Sequence, residues 1–141
     1  VYIAGSMKNR DGILSVSKAV LAAGYDIFND WISPGPETDE NWREFAKAQG
    51  QTFIEALYGA HAQNVLNFDK THLDASDAFV LVYPAGKSGH TELGYMHGKA
   101  APAFVLIDGE PERWDVMLGL STRVVDKVED LIAHLRIAVP Q

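Results

Sequence analysis

Two short runs, Ala78–Tyr83 (AFVLVY) and Ala103–Ile107 (AFVLI), carry no charge and do not alternate between apolar and polar residues. A strand with one wet face alternates, whereas a continuous apolar strand is covered on both faces, as in the middle of a parallel sheet. Parallel neighbours need a long crossover, and the residues between the runs carry a loop and a helical segment over Gly89–Lys99. The start of the chain has the same grammar. Val1–Ala4 is apolar and runs into Gly5-Ser6, after which Ile13, Val16, Val20 and Leu21 recur at helical spacing. Gly24 ends that helix and Tyr25–Phe28 reads as a second short strand. Between Glu40 and Leu57 the residues Trp42, Phe45, Phe53 and Leu57 keep a helical period, with Gly50 as a weak point, and a further helix covers about Ala60–Ala75. A short helix near Glu112–Leu118, a brief strand around Val124 and an amphipathic helix with Val128, Leu131, Ile132 and Leu135 complete the pattern. Such alternation predicts an α/β fold: a flavodoxin-like (Rossmann-like) open parallel sheet of about five strands with helices on both faces. Neither a repeat nor a linker interrupts it, so residues 1–141 are expected to form a single domain.

Composition narrows the function. Twelve Lys and Arg against 19 Asp and Glu give a net charge of −7, which argues against a nucleic-acid polymer as partner, since that needs a basic surface. A small anionic ligand needs only a local pocket. With no cysteine there is no disulfide, thiolate metal site or cysteine nucleophile, which fits a reducing compartment. No apolar run approaches the roughly 20 residues of a membrane span, and the first residues read as a strand rather than a signal peptide. The expectation is a cytoplasmic protein that does not engage a membrane. His61, His72, His90, His97 and His134 form no helical metal-binding pair, so no metal is expected.

In open parallel sheets ligands gather at the carboxyl ends of the strands, which singles out Gly5–Gly12, Asn29–Pro36 and Pro84–Glu92. The last of these follows the most apolar strand and opens a helix. Ser88 is suited to be its N-cap, and Gly86 and Gly89 let backbone amides converge on an anion. Gly86-Lys87-Ser88 is not a P-loop, because Leu81 stands where the first glycine belongs. Glu92 is expected in the first helical turn, where the dipole keeps it ionised and available as nucleophile or base; the plainer alternative is a purely electrostatic helix-start carboxylate. Asp69 lies in a stretch with three acids, Asp69, Asp74 and Asp77. Paired with Glu92 it would offer the two carboxyl groups that break glycosidic bonds, while Asp77, directly before a buried strand, reads as structural. His90 either lines a pocket or is exposed. Asp30 and Trp31 follow the second strand and are placed to hydrogen-bond and stack on a base, or Trp31 simply packs on the next helix. Trp114, with Met117 and Leu118, reads as core or oligomer interface.

Three segments together resemble one family: Val1-Tyr-Ile-Ala-Gly-Ser6, Asp69 eight residues before Asp77, and Ser88-Gly-His-Thr-Glu92-Leu-Gly-Tyr95. They are similar to the nucleoside 2-deoxyribosyltransferase superfamily, which includes deoxynucleoside 5'-monophosphate N-glycosidases. The resemblance implies a flavodoxin-like homo-oligomer, dimer or higher, in which a neighbouring subunit completes the site. It implies that Glu92 attacks the anomeric carbon of a (deoxy)ribose and that Asp69 contacts the departing base and helps protonate it. The covalent glycosyl-enzyme is then resolved by another nucleobase or by water, without a cofactor. Gly5, Ser6 and Asn9 correspond to the glycine-rich first loop that contacts the nucleoside. The chain departs from the transferases at Gly86, six residues before Glu92, where they carry an aspartate that holds sugar hydroxyls. Ser6-Met-Lys8-Asn-Arg10 with Lys87-Ser88 looks more like the serine and basic groups that surround a 5'-phosphate in the hydrolases. The segment from about Ser33 to Leu66 is longer than in compact members and is expected to shape a different base pocket. The expected partner is therefore a small-molecule nucleoside or nucleotide. The alternative is a non-catalytic nucleotide-binding or sensing module of the same fold.

Overall fold

The computed structural model describes residues 1–141. In chain order the strands are β1 (Tyr2–Gly5), β2 (Phe79–Val82), β3 (Ala103–Leu106) and β4 (Arg123–Val125). The helices are α1 (Arg10–Ala22), α2 (Thr38–Ala48), α3 (Phe53–Leu57), α4 (Ala60–Ala75), α5 (Lys87–Gly98) and α6 (Val128–Ala138). They divide between two compact units, one of residues 1–29 and 76–141 and the other of residues 30–75.

The first unit is α/β, with an open, all-parallel sheet in the order β1-β2-β3-β4, an architecture consistent with a flavodoxin-like fold. Tyr2 pairs with Phe79, Phe79 with Ala103, and Phe104 with Arg123. Residues in register share a face, so Ile3, Val80 and Phe104 point one way and Tyr2, Phe79 and Leu81 the other. α1 and α6 touch each other and cover the first face: Ile13 of α1 lies against Gly5, and His134 of α6 stacks on Phe104 with ring centres 6.3 Å apart. α5 covers the second, its Gly89 resting on Leu81. Every residue of β2 and β3 is buried, as unbroken apolar runs require. Ser17 is the one buried polar residue, and its hydroxyl accepts a hydrogen bond from Asn29 Nδ2 at 3.0 Å.

The sheet has four strands rather than about five. Tyr25–Phe28, expected as a strand, contributes a single parallel bridge between Phe28 and Tyr2 at the free edge of β1. Two backbone bonds hold it, Ile3 N–H to Phe28 O at 2.9 Å and Phe28 N–H to Val1 O at 2.8 Å. The ladder grows no further because residues 30–32 wind at once into a 3-10 turn. The helix expected near Glu112–Leu118 is a 3-10 turn over Val116–Leu120, its first turn capped by Asp115 Oδ1, which accepts from Met117 N–H at 2.9 Å. Trp114 lies outside the core, 80% exposed.

The second unit is helical. The helix expected between Glu40 and Leu57 is two, α2 and α3, because Gly50 takes φ +70° and turns the chain. Thr52 then restarts it with a capping box: Thr52 Oγ1 accepts from Glu55 N–H at 3.2 Å, and Glu55 Oε1 accepts from Thr52 N–H at 3.1 Å. The break divides the apolar stripe, leaving Phe45 and Phe53 exposed, while the Trp42 and Phe53 rings meet edge to face at 6.3 Å. The long segment from Ser33 to Leu66 lies within this unit. No helix in either unit is long and apolar enough to cross a membrane.

Candidate active site at the carboxyl edge of the sheet

Where β1 ends, sequence and packing agree on glycine. A Cβ on Gly5 would lie 2.9 Å from the Val82 carbonyl oxygen and 3.0 Å from Ile13 Cδ1, closer than real Cβ atoms come to strand backbone. The chain then turns through a 3-10 segment, Met7–Asn9, whose N-cap is Ser6; its hydroxyl accepts from Lys8 N–H at 3.2 Å. Asn9 Nδ2 donates to Tyr83 O at 3.1 Å, which ties the loop after β1 to the loop after β2. Lys8 and Arg10 are exposed.

α5 is seated by a second glycine. A Cβ on Gly89 would stand 2.6 Å from Leu81 Cδ1 and 4.0 Å from Gly5 N, so the missing side chain lets the first turn rest close on the ends of β1 and β2. Gly5, Ser6, Asn9 and the segment Gly86–His90 are thereby gathered at one edge. The helix starts two residues earlier than its sequence suggested. Gly86 is its N-cap, with extended backbone, and Ser88 is an exposed residue of the first turn instead of the cap. Glu92, half-buried, consequently sits in the second turn, beyond the first turn, within which the field of the helix end falls off.

Tyr83, the first residue past β2, went unnoticed in the sequence, although its position just beyond a buried strand is the signal that marks such sites. The Tyr83–Pro84 peptide is cis. Tyr83 Oη lies 2.7 Å from His90 Nε2, and His90 Nδ1 lies 2.7 Å from Gly86 O. A carbonyl can only accept, so His90 Nδ1 carries a proton and donates to Gly86 O, while Nε2 shares a hydrogen bond with the Tyr83 hydroxyl. Burial, reinforced by the Asp115 carboxylate, pushes the Tyr83 hydroxyl above its ordinary pKa, which keeps it protonated. The pair forms one wall of a cleft of about 600 Å³ between the loops after β2 and β3. Gly86, Lys87 and His90 line this cleft; Glu92, Ser6 and Ser88 do not.

The other expected site residues belong to the second unit. Asp69 is half-buried in α4, and burial pushes its carboxyl up, with His72 opposing. Asp74 instead pairs with Lys70 at 2.9 Å. Asp30 is exposed and Trp31 half-buried, both in the 3-10 turn Asp30–Ile32. Asp77, in the first unit, is exposed. No group of three or more His, Asp or Glu side chains is arranged to hold a metal ion.

The chain matches no protein-family model and no curated protein.

Proposed function

We propose that the protein cleaves or transfers the N-glycosidic bond of a (deoxy)nucleoside or its 5'-monophosphate through a covalent glycosyl-glutamate on Glu92. The observation that carries this reading is the gathering of Gly5, Ser6, Asn9 and the start of α5 at the carboxyl edge of a parallel sheet, with Glu92 one turn further along that helix. The carboxylate attacks the anomeric carbon, the base leaves, and water or a second base displaces the glutamate. Asp69 is assigned the departing base on the family pattern, and its raised pKa suits a carboxyl that must hold a proton to give. Gly5, Ser6, Asn9, Gly86, Lys87, Ser88 and His90 are assigned to the sugar and its 5' end, and Asp30 and Trp31 to the base. The assembly is a homo-oligomer, a reading supported by exposed Trp114, Val116, Met117 and Leu120 beyond β3.

The test is a chromatographic screen for free base released from nucleosides and their 5'-monophosphates, alone and with an acceptor base. Wild-type protein releases or exchanges base, and Glu92→Gln does not. A Glu92→Gln variant with near-wild-type turnover overturns the nucleophile. Tight binding without any turnover returns the protein to the class of nucleotide sensors.

A further inference from the structure

The chain holds two Asp-Gly pairs, Asp11-Gly12 and Asp108-Gly109, and no Asn-Gly pair. In such a pair no side chain shields the glycine nitrogen from the aspartyl carboxyl, and a five-membered succinimide closes where the backbone is free to turn. We propose that Asp108-Gly109, in the loop after β3, is a site of isoaspartyl conversion, while α1 holds Asp11-Gly12 inert. The step needs no oxidant and no cofactor. Gly109 N attacks Cγ of the protonated Asp108 carboxyl, the N–Cγ bond forms, and the amide proton leaves with the carboxyl hydroxyl as water. A second water opens the ring. Cleavage of the N–Cγ bond restores aspartate, whereas cleavage at the main-chain carbonyl leaves the chain running through Cγ and frees the α-carboxylate, which is isoaspartate.

The two pairs differ in what restrains them. Residues 107–111 belong to no helix or strand, and Asp108 and Gly109 are both exposed. The Asp108 carboxyl enters no hydrogen bond or ion pair, and the Gly109 N–H bonds to nothing in the chain. Gly109 already sits at φ +72°, and nothing lies within 4 Å of where its Cβ would be, so neighbours do not resist the turn. Asp11, by contrast, stands in the first turn of α1. Ring closure must eclipse its Cβ with the following nitrogen, a ψ far from the helical value of about −42°. The Asn9 amide also crowds Gly12, with Nδ2 and Oδ1 each 2.6 Å from the position of an added Cβ. Conversion at Asp108 would add one main-chain carbon to a wall of the cleft of about 600 Å³, which Asp108 and Gly109 line. It would also present the free α-carboxylate that a carboxyl-methylating repair enzyme recognises. The inference does not depend on Glu92 or on turnover.

The test ages the folded protein in mildly acidic buffer and digests it with trypsin, which separates the pairs into Asp11–Lys18 and Ala100–Arg113, each with a single aspartate. Ala100–Arg113 is expected to split into two chromatographic forms of equal mass, preceded by a form lighter by one water. Its conversion is expected to exceed that of Asp11–Lys18 at least about tenfold, since Asp11 reacts only in molecules whose first turn of α1 has opened. Protein aged in guanidinium chloride is expected to convert both pairs to similar extents. Asp108→Glu, which cannot close the five-membered ring, is expected to abolish most carboxyl methylation of the aged protein by an isoaspartyl methyltransferase. The proposal is overturned by any of three results: Ala100–Arg113 staying single in the aged folded protein, both pairs converting equally there, or methylation unchanged in Asp108→Glu.

Discussion

Two glycines on α5 separate the geometry of the site from the propensity of its helix. Gly89→Ala and Gly94→Ala make the same chemical change five residues apart, and each gains about 0.5–1 kcal/mol from the lower backbone entropy of alanine in a helix. For Gly94 nothing lies within 4 Å of the added Cβ, so the gain stands. For Gly89 the Cβ arrives 2.6 Å from Leu81 Cδ1, and Leu81 is fully buried in β2, leaving that methyl little room to yield. Overpacking of this kind costs about 1–3 kcal/mol, which exceeds or cancels the helix gain. Gly94→Ala is therefore expected to raise stability and Gly89→Ala to lower it or leave it near wild type, a difference of about 1–3 kcal/mol between the variants. Urea midpoints at constant m report it directly. If both variants are stabilised equally, α5 does not rest on Leu81, and the seating of its first turn against Gly5 falls with it.

Burial holds the folded-state pKa of Asp69 above its unfolded value, so the ionised form costs stability at pH above the folded pKa and the cost vanishes as pH falls through it. Asp69→Asn is accordingly expected to stabilise at neutral pH with an advantage that shrinks towards about pH 4; urea midpoints across that range check it, and an advantage that grows in acid contradicts it. From sequence alone, Lys87→Ala should cost a monophosphate substrate about one to two powers of ten in kcat/KM. Lys87 is exposed and shares its cleft with four carboxylates, so the expected selective loss is about fivefold at most, the range of exposed ion pairs, and a larger one would seat the phosphate on Lys87. Light scattering is expected to give a multiple of the 15.5 kDa chain mass, and a fully active monomer would remove the oligomer.

The elements legible in advance were those that one local rule decides. Ala78–Tyr83 and Ala103–Ile107 read as buried strands because nothing polar interrupts them, and they are β2 and β3 almost to the residue. Ala60–Ala75 was legible as α4 for a similar reason, bounded by Gly59 and by the strand that follows. Where two rules compete, periodicity misled. The stripe from Trp42 to Leu57 keeps helical spacing across Gly50, yet the positive φ there turns the chain, and a reading by period alone cannot weigh that break. Tyr25–Phe28 has the composition of a strand, but ladder length depends on where the following residues go, and here they turn away.

At the sheet edge, residue type was legible in the sequence and backbone placement was not. Ser88 has the right side chain for an N-cap, but capping is decided by backbone, and Gly86 takes the extended conformation that opens α5. That shift of two residues moves Glu92 out of the first turn, so the helix field no longer singles it out. It also accounts for what the sequence concealed. With the helix starting at Lys87, the Gly86 carbonyl falls within reach of His90 Nδ1, which fixes the ring and turns Nε2 onto Tyr83. No spacing rule links a residue at the end of a strand to one on the second face of the next helix. The link exists because cap position sets helical phase, and the phase places His90 beside Tyr83 and Glu92, two residues on, away from the cleft they enclose.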